Sequence, residues 1–142
     1  MFKMTDDDIE LSLEIRDWQN PNGKYSSDDW CKCDLHVKIG DYLDYSVVND
    51  EFLEWQDVVR LEYELGRLLN GELTEQTFDC FTEPDLSFYL NPQSEYNDIY
   101  VTMCIVLRKA GTSCYTAAEL QIELDRDNIC DLRYYLKEVT NV

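Results

Sequence analysis

Two cysteines one residue apart, Cys31 and Cys33, and a lone histidine, His36, are the side chains of this sequence best suited to metal or nucleophilic chemistry. Residues i and i+2 of a strand share a face, so Cys31 and Cys33 could turn two thiolates toward one ion. A structural zinc site usually takes four ligands from two knuckles, and no second knuckle follows, so the pair reads as core packing. His36 falls on the polar side of the same alternation. That makes a Cys–His couple on this strand poor geometry and a solvated imidazole the simpler state. A Ser–His–Asp triad would have to draw on the same histidine, and no Gly-x-Ser-x-Gly elbow is present. Asp6-Asp7-Asp8 lacks the glycine and closing glutamate of a calcium loop, and neither a glycine-rich phosphate loop nor a dinucleotide fingerprint occurs. Carboxylates are so abundant that some pair would fall at glycosidase separation by chance. The sequence thus predicts no catalytic set, no metal site and no cofactor.

Charge says more than motif. Thirty Asp and Glu against twelve Lys and Arg leave a formal charge of −18 on 142 residues. Binding phosphate needs Lys and Arg to displace its counterions, so direct contact with nucleic acid or an anionic membrane is disfavoured and basic partners are favoured. With 44% hydrophobic and 13% aromatic residues the chain can still bury a core. Its length predicts a single acidic domain over residues 1–142. Met1 to Asp8 holds no signal-like apolar run, and no window approaches the roughly 20 apolar residues of a membrane span. A cytoplasmic location is expected, with the six cysteines as reduced thiols.

The elements that must position these residues are read from periodicity. From Ile9 to Trp18, Ile9, Leu11, Leu13 and Ile15 alternate with Glu10, Ser12, Glu14 and Arg16 in a half-buried strand, ended by the turn Asn20-Pro21-Asn22-Gly23 and the polar run Ser26 to Asp29. Trp30 to Ile39 alternates again, Gly40-Asp41 predicts a hairpin, and Leu43, Tyr45 and Val47 continue a third strand. Val58, Leu61, Leu65 and Leu68 then recur at helical spacing, with Arg60, Glu64 and Arg67 opposite, an acid at Glu54 or Asp57 near the start, and Asn70-Gly71 as the stop. Gly66 costs that helix about 1 kcal/mol relative to Ala, which predicts a close approach of helix to sheet.

Beyond the helix, a strand near Thr77 to Phe81 and another through Leu86, Phe88 and Leu90 read as a hairpin about Pro84. Ile99 to Leu107 is almost continuously apolar, as in a central strand buried on both faces. After a loop at Gly111 to Ser113, Ala118 to Leu124 alternates as a last strand. Asp125 to Asp127 then offers caps to a helix with the stripe Ile129, Leu132, Leu136 and Val139. The expected fold is α+β, a mostly antiparallel sheet of about seven strands with one helix after the third strand and one at the C-terminus.

Strand alternation also locates part of the charge. Glu10, Glu14, Asp34, Asp44, Glu119 and Glu123 all alternate with core positions, so they are expected to share one sheet face turned away from the helices. An ordinary wet face would look the same, but a carboxylate-lined one would also speed encounter with a basic partner.

Phe52-Leu53-Glu54-Trp55 running into the helix Val58 to Leu69 with its Asn70-Gly71 stop, and then Phe81-Thr82-Glu83-Pro84-Asp85-Leu86-Ser87-Phe88, resembles the WapI-like immunity proteins of bacterial polymorphic toxin systems. The likeness spans most of the chain, and its most specific piece is the Phe81 to Phe88 segment. It implies a non-enzymatic, cytoplasmic protein that neutralises a cognate toxin by binding it, and it supplies no catalytic residue. Joined to the charge, it predicts a basic toxin domain as partner and the six named carboxylates as its contact. Two other readings use the same residues: a nucleic-acid mimic that inhibits a DNA- or RNA-binding protein, and a small carboxylate-dependent hydrolase.

Overall fold

The computed structural model describes residues 1–16, 29–80, 85–108 and 117–141. The Asn20-Pro21-Asn22-Gly23 turn, the Phe81 to Pro84 part of the second hairpin and the Gly111 to Ser113 loop lie outside them.

Among the described residues eight strands and two helices follow one another as β1 (Phe2–Asp6), β2 (Ile9–Arg16), β3 (Trp30–Ile39), β4 (Leu43–Glu54), α1 (Trp55–Leu69), β5 (Thr77–Cys80), β6 (Leu86–Asn91), β7 (Tyr100–Arg108), β8 (Ala117–Leu124) and α2 (Arg126–Thr140). The class is α+β and every strand pair is antiparallel, as expected. The strands form two sheets, β1-β2-β3-β4 and β5-β6-β7-β8. Each is a meander in which sequence neighbours pair, and α1 interrupts the run between β4 and β5, so the chain begins a second sheet after it.

The strand not foreseen is β1, where Phe2 and Met4 are buried and Lys3 and Thr5 are exposed. Asp7, at φ 51°, closes the two-residue turn into β2, a left-handed conformation that Asp tolerates better than most residues. Gly40, at φ 48°, does the same between β3 and β4, and its N–H donates to the Asp8 carbonyl at 2.9 Å, tying the two turns together.

β4 has twelve residues because it carries two bulges. Two residues, Val48 and Asn49, stand opposite Asp34, and Glu51 and Phe52 stand opposite Lys32. Asn49 takes φ 56° to make the first.

One continuous apolar core joins both sheets and both helices. β2 and β3 supply Leu11, Leu13, Leu35 and Val37, and β6, β7 and β8 supply Phe88, Leu90, Met103, Ile105, Ile122 and Leu124. The stripes of α1 (Val58, Leu61, Leu65, Leu68) and α2 (Ile129, Leu132, Leu136, Val139) are buried as their spacing predicted. β7 departs from expectation. It starts at Tyr100 and is continuously buried on one face only: Val101, Met103 and Ile105 point into the core, while on the other side Cys104 is buried and Tyr100, Thr102 and Val106 are half-buried.

The helix ends are built as their residues suggest. Glu54 N–H donates to Asp57 Oδ2 at 3.1 Å in a capping box. Gly71, at φ 73°, and Glu72 return N–H groups to the Leu68 and Arg67 carbonyls at 3.2 and 2.9 Å, a Schellman stop. Asp125 caps α2 by accepting from Asn128 N–H at 2.9 Å. Gly66 answers to a different neighbour from the one expected. A Cβ there would lie 2.7 Å from an Arg133 Nη, so the glycine makes room for a side chain of α2 and not for a sheet. Arg133 in turn bonds Glu62 of α1 at 3.3 Å.

Polar contacts also cross the layers. Ile15 N–H donates to the Tyr135 hydroxyl at 2.8 Å, joining β2 to α2. Arg60 of α1 bonds both Asp57 at 3.2 Å and Asp79 of β5 at 2.9 Å, and both carboxylates are buried. Burial holds the Asp79 carboxyl above its ordinary value, against the pull of Arg60.

Candidate functional site

The residues with chemical potential separate into core and surface. Cys31 and Cys33 are fully buried on the inner face of β3. Burial, aided by nearby carboxylates, pushes the Cys31 thiol up to about 12 and Cys33 upward too, the reverse of what a nucleophile or metal ligand requires. Among the described residues no group of three or more His, Cys, Asp or Glu is placed to hold a metal ion. His36 stands on the outer face of β3, with Nε2 2.7 Å from Asp44 Oδ1. Ser12 and Ser46 flank it in register, and neither hydroxyl bonds to the imidazole. The His36–Asp44 contact is thus a pairing between two exposed side chains on a sheet face.

The six outward carboxylates do not share one face. Glu10, Glu14, Asp34 and Asp44 lie on the first sheet, and Glu119 and Glu123 lie on β8 of the second. Alternation fixes which side of its strand a residue takes, but α1 divides the strands into two sheets and so divides the carboxylates.

The first face is extensively wired to itself. Glu10 stands opposite Lys38, which stands opposite Asp44, so a cation separates two acids along that row. Asp34 accepts both guanidinium nitrogens of Arg16, at 2.7 and 3.0 Å, and the Asn49 N–H at 2.8 Å, while Arg16 also reaches the Asn49 side-chain oxygen. The Arg16 bond first, and then that of Asn49, hold the Asp34 carboxyl below its ordinary range. Asp34 thereby pins the β4 bulge to β2. Lys32 pairs with Glu51 at 2.5 Å.

The second face is different in kind. Register sets Phe78, Tyr89, Thr102 and Glu123 in one row across all four strands. Ser87, Cys104 and Gln121 share the next row, and Val106 stands opposite Glu119. Phe78 is 51% exposed, and its ring lies 4.6 Å from that of Tyr89 at 33°. Cys104 is buried on this side, outside the core cluster, with Glu119 and Ser87 against its thiol.

Neither Phe78 nor Tyr89 stood out in the sequence, yet the signal is there. If Leu86, Phe88 and Leu90 face the core, Tyr89 must face out, and the hairpin register brings Phe78 beside it. At the end of this face a depression of about 360 Å³ is lined by Asp6, Asp98, Glu123, Asp125 and Asn128. Arg126 occupies Asp98 there, at 2.6 and 2.9 Å.

A family model described as Immunity protein WapI-like matches residues 1–141. The chain belongs to the WapI-like immunity protein family. No curated protein and no solved structure matches it. The match spans both sheets and both helices. It also gives the surface its general meaning, since an immunity protein acts on a toxin partner. No helix of the structure is long and apolar enough to cross a membrane.

Proposed function

We propose that this chain is a non-enzymatic, cytoplasmic immunity protein that binds a cognate, basic toxin domain and neutralises it. Membership of the immunity family over residues 1–141 carries the reading. The charge of −18 supports the basic character of the partner, because a surface of that sign raises the encounter rate with a cationic domain and repels nucleic acid. Covering the toxin's active site, or a groove in which it holds its own anionic substrate, suffices for neutralisation, and no bond need be made or broken. The outward carboxylates Glu10, Glu14, Asp34, Asp44, Glu119 and Glu123 are the first candidates for the contact, now divided between two faces.

Co-expression with the toxin domain encoded immediately upstream tests this. The expected result is restored growth and one stoichiometric complex that survives moderate salt. Failure to rescue, with no complex even at low ionic strength, would overturn the proposal. Weak capture of many unrelated basic proteins, all lost together as salt rises, would point to a nucleic-acid mimic.

A further inference from the structure

The geometry points to the outer face of the second sheet, β5 to β8, as the surface that docks the toxin, and to a flat, arginine-bearing protein surface as its occupant. The inference rests on the immunity reading above and adds to it a place and a recognition chemistry. Exposed Phe78 and half-buried Tyr89 form an aromatic pair at one side of the face, and Glu119 and Glu123 stand exposed on β8 at the other. A guanidinium can lie flat on the aromatic pair and can pair in a bidentate manner with a carboxylate, which makes arginine the side chain that suits both ends.

The spacing of the anchors follows from sheet geometry. Phe78 and Glu123 sit in one row three strand intervals apart, about 14 Å, and Glu119 lies about 13 Å from Glu123 along β8. A partner must therefore present three groups at the corners of a triangle of roughly those sides. Between the corners the surface is made of Thr102, Val106 and Gln121, uncharged side chains that let a flat partner come close, with Ser87 and Cys104 buried among them. The face spans roughly 500 Å² in projection, most of the about 800 Å² that one side of a stable complex buries.

Two comparisons favour this face and this occupant. On the first sheet Arg16 and Lys32 already pair with Asp34 and Glu51, and His36 hydrogen-bonds Asp44, so a partner's arginine would have to displace internal partners. No described side chain on the second face is lysine or arginine. Register puts Arg108 at its far end, and Arg126 beyond β8 is held by Asp98. A second copy of the chain is the wrong occupant, since it would bring Glu119 and Glu123 against their own kind on top of a charge of −18 each.

The experiment measures affinity for the upstream-encoded toxin domain with three variants: E119R/E123R, Phe78→Ser, and E10R/D44R on the first sheet. All five positions are exposed, and circular dichroism and thermal melts check that each variant folds. E119R/E123R is expected to weaken the complex on the order of 100-fold, chiefly through dissociation, and Phe78→Ser on the order of 10-fold. E10R/D44R should lose at least tenfold less than E119R/E123R. A loss from E10R/D44R that equals or exceeds that of E119R/E123R overturns the inference and leaves the immunity reading standing. Absence of any complex with the unmodified chain overturns both.

Discussion

Replacing Tyr135 with Phe removes one buried hydroxyl and little else, and it isolates the link between the first sheet and α2. β1 pairs with β2 only as far as Leu13. The next amide on that side of β2, Ile15 N–H, has no strand beside it and donates instead to the Tyr135 hydroxyl at 2.8 Å. Tyr135 is 7% exposed, so water has no ready route to replace the lost oxygen. A buried N–H left without an acceptor costs about 1–3 kcal/mol. Taking the middle of that range, and a fall of about 2–4 °C per kcal/mol for a chain of this length, Tm should drop by about 4–8 °C.

Urea unfolding should give a lower midpoint with an unchanged slope, the mark of lost stability without a change in exposed surface. Its neighbour supplies the control: Tyr134 is 68% exposed, and Tyr134→Phe should stay within about 0.5 kcal/mol of the parent. Hydrogen exchange at the Ile15 amide should quicken in Tyr135→Phe alone. A loss under about 0.5 kcal/mol, or equal losses from the two variants, would refute the reasoning.

Arg60→Ala removes the cation shared by two buried carboxylates, Asp57 and Asp79. Because the Arg60 side chain is 44% exposed and water screens it, the expected loss at pH 7 is about 2 kcal/mol, below the usual range for a broken buried pair. Asp79 is raised by burial, so its charge costs nothing below the unfolded value near 3.9 and costs most above its folded value. The Arg60→Ala deficit should therefore shrink toward pH 4, and urea titrations giving equal deficits at pH 7 and pH 4 would contradict this. Asp98 has the opposite sign: the hydrogen bond from Arg126, and then the Ile99 N–H, hold it at about 2. Its contribution is present above about pH 3.9 and is lost as pH falls through about 2, and an NMR titration should move toward 3.9 in Arg126→Ala. Of the four described free cysteines, exposed Cys130 should be alkylated first at pH 8. Cys31, pushed up to about 12, Cys33, also raised, and Cys104, pushed up to about 11, should react only on unfolding. Peptide mapping that finds Cys31 labelled as fast as Cys130 would place it outside the core.

Periodicity made most elements legible because burial imposes it residue by residue. Leu11, Leu13, Leu35, Val37, Phe88 and Leu90 all face the core as their alternation requires, and the stripes of both helices do too. β1 escaped because two apolar residues beside Asp6-Asp7-Asp8 are too short a pattern to count as a strand, although Phe2 and Met4 are among the most buried side chains. The division into two sheets was not legible at all. Alternation tells which way a side chain points and says nothing about which strand lies next door.

The same gap explains the candidate site. The six carboxylates do leave the core, but only pairing shows that Glu119 and Glu123 stand apart from the other four. Nor could Asp34 be recognised as a fastening, because its partner Asn49 reaches it only through a bulge and a left-handed backbone. The helix cost of Gly66 signals a close approach, while the neighbour concerned, Arg133, is 67 residues away in the sequence.

The two bulges of β4 have a consequence for the chain's behaviour among its own copies. Among the described residues β4 is the longest strand and stands at an edge of its sheet, where a row of backbone donors and acceptors could template an intermolecular sheet. Each bulge breaks the even spacing that such a template needs, and Asp34 with Arg16 holds the first one in place. The edge is thus kept from propagating without a proline and without shortening the strand, and the fastening that does it is assembled from three strands that would have to separate before the edge became sticky.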